Sequence, residues 1–379
     1  MIYLDHAATT PVFSSVFNAM STWYMADHVG NPGSIHTQGV LARKAIEKAR
    51  TQVAKMINAS PAEIFFTSGG TESNNIWIQC IGDSTIFLTS VEHDSVLEPV
   101  FNAKGHGMPI HIAVTPSGCM DVHDLEAKLA ESKEYHRAVT AMWVNNELGT
   151  ENPIKEIGEL CRQYGALFHV DAVQAAGHVP IDVQACNIDF LSMSGHKFGA
   201  PLGVGVLYIR SSIQKHPFIL GGGQESGIRG GTENVSGIVG IGEAAELVSL
   251  LLPKWRNHWA FLREAFIKDL HGYMEDGIRV NGDPNNTCSS IISLTIPGVN
   301  SEALLMMLDQ RGVYLSAGSA CSAASSESSH VLRGVGMPDE EASCTIRVSM
   351  GFDTTLSEMR SAAAEIVYAV SRIKSMYPQ

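Results

Sequence analysis

Ser194-Gly195-His196-Lys197 closes the apolar run Ile188 to Met193 and stands just before Gly199, Gly203 and Gly205. A lysine that ends a buried strand, beside two small residues and an imidazole, carries a desolvation cost that a surface lysine avoids. Desolvation lowers the amine's pKa, so that part of it is neutral near pH 7 and able to condense with a carbonyl compound. Taken alone, a His-Lys pair is more often a solvated turn. The sequence around it reverses that weighting.

The run before Lys197 is one of several strand patterns, the others being Glu63 to Thr67, Thr85 to Ser90, Pro109 to Val114, Val139 to Val144, Leu167 to Val170 and Val204 to Ile209. Helical patterns alternate with them, beginning within 68–75, after Asp94, at Asp121 and near Pro153. Such alternation predicts an α/β fold whose mainly parallel sheet is covered by helices on both faces, with ligands at the strand ends. Polar clusters fall there: Glu92-His93, Asn145-Asn146-Glu147, Asp171 with Gln174, and Ser194 to Lys197. A single such residue is ordinarily a cap, but a whole edge of them is hard to explain as caps. The loop Ser68-Gly69-Gly70-Thr71 lies between a strand and a helix, where free backbone N–H groups suit a phosphate. It is neither GxxxxGK[ST] nor GxGxxG, so ATP and NAD have little support. A phosphorylated carbonyl cofactor, pyridoxal phosphate, suits both this loop and the lysine.

Composition sets outer bounds. The 379 residues exceed the usual size of one domain, and 45% hydrophobic with 17% charged residues describe a compact enzyme. A net charge of -13 argues against nonspecific nucleic-acid binding. The N-terminus Met1-Ile2-Tyr3-Leu4-Asp5 has no basic stretch leading into an apolar one, and no uninterrupted apolar run of about 18 residues follows, so a cytoplasmic protein with no membrane partner is expected. Seven cysteines without a CxxC pair form neither a disulfide framework nor a thiol metal site.

A long helical stretch from about Glu233 marks the passage into a second unit. We expect a large domain over 15–250 and a small α+β domain over 251–379, with residues 1–14 packing against the latter. Strand-like Ser290 to Ile296 and Thr345 to Met350 and helices at Ser301 to Gln310 and from Leu356 compose that unit. Between them lies Ser316-Ala317-Gly318-Ser319-Ala320-Cys321 followed by more Ser and Ala, side chains too small to anchor a core, so a mobile loop with an accessible Cys321 is expected. Ser34 is a candidate cap for the helix whose apolar positions include Ile46, Ala49 and Val53, and the opening segment reads as helical to about Met25.

Assembled in order, YLDHAATTP, NPGSIH, EIFFTSGGTESNN, EHDSV, NNELGT, DAVQ, SGHK, GGGQE, RGGTEN, SAGSAC and TIRVSMG closely resemble the cysteine desulfurases, pyridoxal-phosphate enzymes of fold type I in the class V aminotransferase group. The long stretch around Cys321 resembles the members with an extended catalytic loop. The resemblance implies Lys197 as the Schiff-base lysine, His93 stacked on the cofactor ring, Asp171 at the pyridinium nitrogen and Gln174 at the ring oxygen. It places Gly70, Thr71, Ser194 and His196 at the phosphate, joined by Thr232 of a neighbouring subunit in a homodimer. Arg347 would clamp the substrate carboxylate, with Asn146 beside it at the ring. The implied reaction takes L-cysteine to L-alanine and leaves a persulfide on Cys321, with Lys197 and His93 moving protons. The persulfide passes to a sulfur-acceptor protein of iron-sulfur cluster assembly or of tRNA or DNA thiolation.

Three stretches depart from that pattern: Gly230 stands where serine is usual, Phe198-Gly199-Ala200-Pro201 lacks a usual lysine after the aromatic-glycine-proline sequence, and Ser326 and Ser328 replace leucine and proline. The competing expectations are a selenocysteine lyase or aminotransferase on the same fold, and a catalytically silent scaffold. A thiol in SAGSAC disfavours transamination, and an intact Lys197, Asp171 and Arg347 disfavour a scaffold.

Overall fold

The computed structural model describes residues 1–102, 108–273, 277–318 and 328–376. After the short β1 (Ile2–Tyr3), seven strands form the main sheet: β2 (Ile64–Thr67), β3 (Thr85–Thr89), β4 (Ile110–Ile112), β5 (Arg137–Met142), β6 (Leu167–Asp171), β7 (Phe190–Ser194) and β8 (Gly205–Ile209). Their order is β2-β8-β7-β6-β5-β3-β4. From β7 to β4 each neighbouring pair is parallel, whereas β8 runs antiparallel to both β7 and β2. The stretch 195–204 between β7 and β8 is shorter than the dozen or so residues that a parallel crossover needs.

Every residue of β7 is buried, and the strand period sends its side chains alternately to the two faces. Leu191 and Met193 enter one core with Ile46, Val53 and Phe168, while Phe190 joins Trp77, Ile86 and Leu207 in the other. Full burial of a leucine of this kind stabilises the fold by about 1.5–3 kcal/mol. The helix Ile154–Tyr164 covers its face with Ile154, Ile157, Gly158 and Cys161, the i, i+3, i+4, i+7 stripe. It ends where Gly165 turns left-handed at φ 65°, a conformation that a side chain there would strain.

The second unit is a small antiparallel sheet in which β10 (Ile291–Thr295) lies between β9 (Arg279–Val280) and β12 (Thr345–Ser349). At the chain's start β1 pairs in parallel with β11 (Val313–Tyr314), and Asp5 bridges to Ser349. The boundary expected at 250/251 falls inside the helix Val235–Tyr273, which continues past Pro253. By length and composition this helix is apolar enough to cross a membrane, but 56% of its most apolar window is buried in the protein. Gly242 lies so close to Ala49 of the helix Thr37–Met56 that an added Cβ would come within 2.6 Å of it.

Two local expectations are corrected. Ser34 does not cap the helix Thr37–Met56: His36 does, its Nδ1 accepting from Gly39 N–H at 3.3 Å. The Ser34 carbonyl instead accepts from Arg43. The opening helix stops at Ser21, and two short 3-10 turns follow in place of its predicted continuation.

Candidate active site

The parallel strands deliver their C-terminal ends to one edge, where a cavity of about 260 Å³ opens. Gly70, Thr71, Ser194 and His196 line it, as do Asp171, Gln174 and His93. Lys197, Asn146 and Arg347 complete it. Thr232 is exposed on the surface and is not part of this lining. Cys321 lies outside the described residues, as does the stretch 319–327 of the loop expected to be mobile around it.

The glycine-rich end of the cavity begins at the helix Gly70–Cys80, whose first turn receives no side-chain cap. Orphan N–H groups and the positive end of the helix dipole therefore face the cavity edge. Space there is tight: a Cβ on Gly70 would meet Val173 Cγ2 at 2.6 Å, and one on Gly205 would meet Gly69 Cα at 2.6 Å. Burial and the charge of Lys197 push the His196 imidazole down to about 4, so at neutral pH it is uncharged. Its Nδ1 lies 3.1 Å from Thr9 Oγ1.

Asp171, at the end of β6, is 4% exposed, and its two oxygens accept from Val173 N–H and Asn74 Nδ2, each at 2.9 Å. The second Asn74 Nδ2 hydrogen reaches Ser95 Oγ at 2.9 Å, and Ser95 Oγ in turn lies 2.8 Å from His93 Nδ1. Ser95 N–H also donates to that Nδ1, at 3.0 Å. An Nδ1 that accepts a backbone N–H leaves the proton of the neutral ring on Nε2. Behind them Glu92 is wholly buried, and burial raises its carboxyl to about 8, with Asp171 adding to the rise. It is a neutral acid at pH 7, bonded to Thr89 Oγ1 at 2.8 Å.

Lys197 sits in a single turn after β7, half-buried, and its Nζ donates to the carbonyls of Ala7 and Ala8 at 2.6 and 2.8 Å. Gln174 Nε2 donates to the same Ala7 carbonyl at 2.7 Å. The N-terminal segment is thus a wall of the cavity. It also holds the arginine: Arg347, on β12 and 2% exposed, donates from Nη2 to Asp5 Oδ1 at 2.9 Å and from Nη1 to the Asn146 carbonyl at 2.7 Å. Arg347 Nε and Asn146 Oδ1 are buried without a partner among the described residues. A buried donor left so costs about 1–3 kcal/mol, which a bound ligand would relieve.

This donor set fits a phosphorylated, cationic aromatic ring bearing a carbonyl, together with a small carboxylate. An anion suits the uncapped helix start, a protonated ring nitrogen suits Asp171, a carbonyl suits Lys197, and a carboxylate suits Arg347. Asn74, Ser95, Asp5 and the Ala7 and Ala8 carbonyls are parts of the site that the sequence did not single out. Asn74 and Ser95 do lie within two of the motifs, but nothing in their spacing marks them as joined.

The chain matches the model of the family described as Aminotransferase class-V over residues 2–361. It is 39% identical over 384 residues to a protein named cysteine desulfurase IscS from Dictyoglomus turgidum (strain DSM 6724 / Z-1310), with 100% of this chain and 96% of the relative covered. A protein of the same name from Methanosarcina thermophila is 38% identical over 384 residues, with 100% of this chain and 94% of the relative covered. Among solved structures, a NifS-like protein from Rickettsia africae ESF-5 superposes with a TM-score of 0.89 at 32% identity, covering 99% of each chain.

Proposed function

The chain belongs to the class-V aminotransferase family and is a cysteine desulfurase, and from that premise we propose that it binds pyridoxal phosphate through Lys197 and moves sulfur from L-cysteine to Cys321. The observation that carries this reading is the meeting of Lys197, Asp171 and Arg347 in one cavity. The cofactor, when bound, supplies an electron sink at the substrate's α carbon.

The chain's own residues do the rest. Gly70, Thr71, Ser194 and His196 hold the phosphate, and Asp171, fixed by Asn74 and Val173, favours the protonated ring nitrogen. Two unit charges about 4 Å apart attract by about 4 kcal/mol at an effective dielectric of 20. Gln174 donates to the ring oxygen. Arg347, braced by Asp5 and the Asn146 carbonyl, holds the substrate carboxylate and so fixes which way the thiol points. The Lys197 amine takes the proton from the substrate's α carbon. His93 is placed to carry a proton to or from the thiol groups. The Cys321 thiolate attacks the substrate sulfur: the S–S bond forms, the C–S bond breaks, and proton return to carbon completes L-alanine. Substrate cysteine and one thiol thus become alanine and one persulfide, with no outside oxidant. The persulfide then passes to a sulfur-acceptor protein.

We assign the working unit as a homodimer, in which Thr232 joins the neighbour's phosphate site. Exposed apolar side chains flank it on this chain: Leu220 is 85% exposed in the stretch that packs on Gly230, and Tyr24, 70% exposed, bonds Ser236. Arg229 serves its own chain instead, donating to Glu72 at 3.0 Å. Mixing Lys197→Ala with Thr232→Ala protein tests the assignment, because a heterodimer would then hold one intact site and recover activity. No recovery in verified heterodimers assigns Thr232 to its own chain. For the reaction itself, mass spectrometry after L-cysteine treatment should find one added sulfur on Cys321. Cys321→Ser should bind cysteine but carry none, and equal alanine formation by that variant would overturn the role of Cys321.

A further inference from the structure

Glu147 is a buried carboxylate that no step above uses. It is 2% exposed, and it sits in a tight turn in which Asn145 Oδ1 accepts from the N–H groups of Glu147 and Leu148 at 2.9 and 3.0 Å. Its Oε2 accepts from Ser329 Oγ at 2.6 Å. The same oxygen lies against Gly318, where an added Cβ would come within 2.7 Å of it. Gly318 and Ser329 stand near the two ends of the undescribed segment 319–327 that contains Cys321.

We propose that Glu147 is a positioning residue for sulfur transfer: one carboxylate ties both ends of the Cys321 segment and links them to the substrate arginine. On the downstream side Ser329 Oγ accepts from Leu332 N–H at 3.2 Å and so caps the helix His330–Gly334, which His330 docks onto the Glu92 carbonyl at 2.9 Å. On the upstream side Ser316 exchanges backbone hydrogen bonds with Arg347, at 3.3 and 2.7 Å. Arg347 in turn donates to the carbonyl of Asn146, the residue before Glu147. The tie works by accepting a hydrogen bond and filling space, which a glutamine reproduces and an alanine does not. Burial raises the Glu147 carboxyl above the usual range, with Ser329, Arg347 and His330 opposing the rise and Asp94 adding to it.

The proposal rests on Cys321 as sulfur acceptor, and the experiment separates the two. Hydrogen–deuterium exchange on the holoenzyme reads the two ends directly, through peptides spanning 316–318 and 329–333. Glu147→Ala should raise exchange at both ends by about tenfold, and Glu147→Gln should restore it to within about threefold of the unchanged protein. Persulfide formation should fall about tenfold in Glu147→Ala while KM for cysteine moves less than about twofold, because the substrate's own contacts remain. Ser329→Ala, which removes the downstream bond to Glu147 together with the cap on Leu332 N–H, should raise exchange at 329–333 and leave 316–318 unchanged. It also decides the matter if Glu147→Ala fails to fold, since unchanged exchange at 329–333 would overturn the tie. Unchanged exchange at either end in folded Glu147→Ala would overturn it as well. If the unchanged protein forms no persulfide on Cys321, the acceptor assignment fails while exchange still tests the tie.

Discussion

The wall that would hold the cofactor comes mainly from residues 70–197 and one sheet, with Lys197 donating to the Ala7 and Ala8 carbonyls, whereas the wall that would hold the substrate joins Arg347 to Asp5, from opposite ends of the chain, and to the Asn146 carbonyl. On the first wall Asp171 already has both oxygens occupied by protein donors. On the second, Arg347 Nε and Asn146 Oδ1 remain without partners among the described residues. Asp171 is thus fixed by protein donors, while Arg347 and Asn146 keep hydrogen-bonding capacity for a ligand, although Asn74 Oδ1 and Glu92 Oε2 beside the first wall are also without partners among the described residues. Damage to the two should therefore read out differently.

Lys197→Ala should give the largest effect, a loss of alanine formation of about 10⁴-fold, since it removes both a nucleophile and a proton carrier. Borohydride reduction and peptide mapping of the unchanged protein should place a pyridoxyl group on Lys197, and a label on another lysine would break the assignment. Next comes Arg347→Ala, which should weaken cysteine binding by roughly ten- to 150-fold while leaving the cofactor's absorbance unchanged, as loss of a charge-assisted hydrogen bond predicts. A spectral change as large as the affinity change would merge the two walls into one. Ser95→Ala sharpens the first wall from within: His93 keeps the Ser95 N–H but loses the hydroxyl, so we expect a roughly two- to tenfold loss in kcat with a shifted pH profile and unchanged KM. A flat comparison of pH profiles would show that the Asn74–Ser95 chain does not reach the chemistry.

The smallest effect concerns His178, buried against Trp259 and Phe352 with His6 and Lys197 nearby, its imidazole pushed down to about 4 chiefly by burial. Unfolded, that ring protonates near the ordinary histidine value of 6.5. Between these values the unfolded state binds more protons, so stability rises with pH across the window and falls as pH drops from 6.5 towards 4. In His178→Phe the slope should shrink by up to about 1.4 kcal/mol per pH unit. Identical melting-temperature slopes in both proteins would show that another group carries the effect.

Much of the first wall was legible because it is made of side chains at strand ends, where a lysine or aspartate after an apolar run is conspicuous. Lys197, Asp171, Gln174 and His93 all fall in one cavity, as their motifs predict. The second wall was legible only at Arg347, Asn146 and the motif that contains Asp5. The Ala7 and Ala8 carbonyls could not be read, because any residue supplies a carbonyl and only the path of the chain decides where it points. The His36 cap escaped for a related reason: serine is the commoner cap, yet here the Ser34 carbonyl is engaged by Arg43 and the turn ends two residues later. The antiparallel course of β8 is implied by the short stretch 195–204, a signal of length and not of composition.

The bond from Arg347 Nη2 to Asp5 Oδ1 joins partners 342 positions apart. At roughly 5–20 residues per second, a ribosome takes roughly 20–70 s to travel that distance. During that interval the strands of the main sheet are all complete once Ile209 has emerged, while β11 and β12, on which the first residues rest, do not yet exist. Residues 2–6, whose backbone partners lie between 312 and 349, must wait for the last quarter of the chain. The pocket is therefore finished last, in part by residues made first, and a nascent chain released early would hold Lys197 without Arg347.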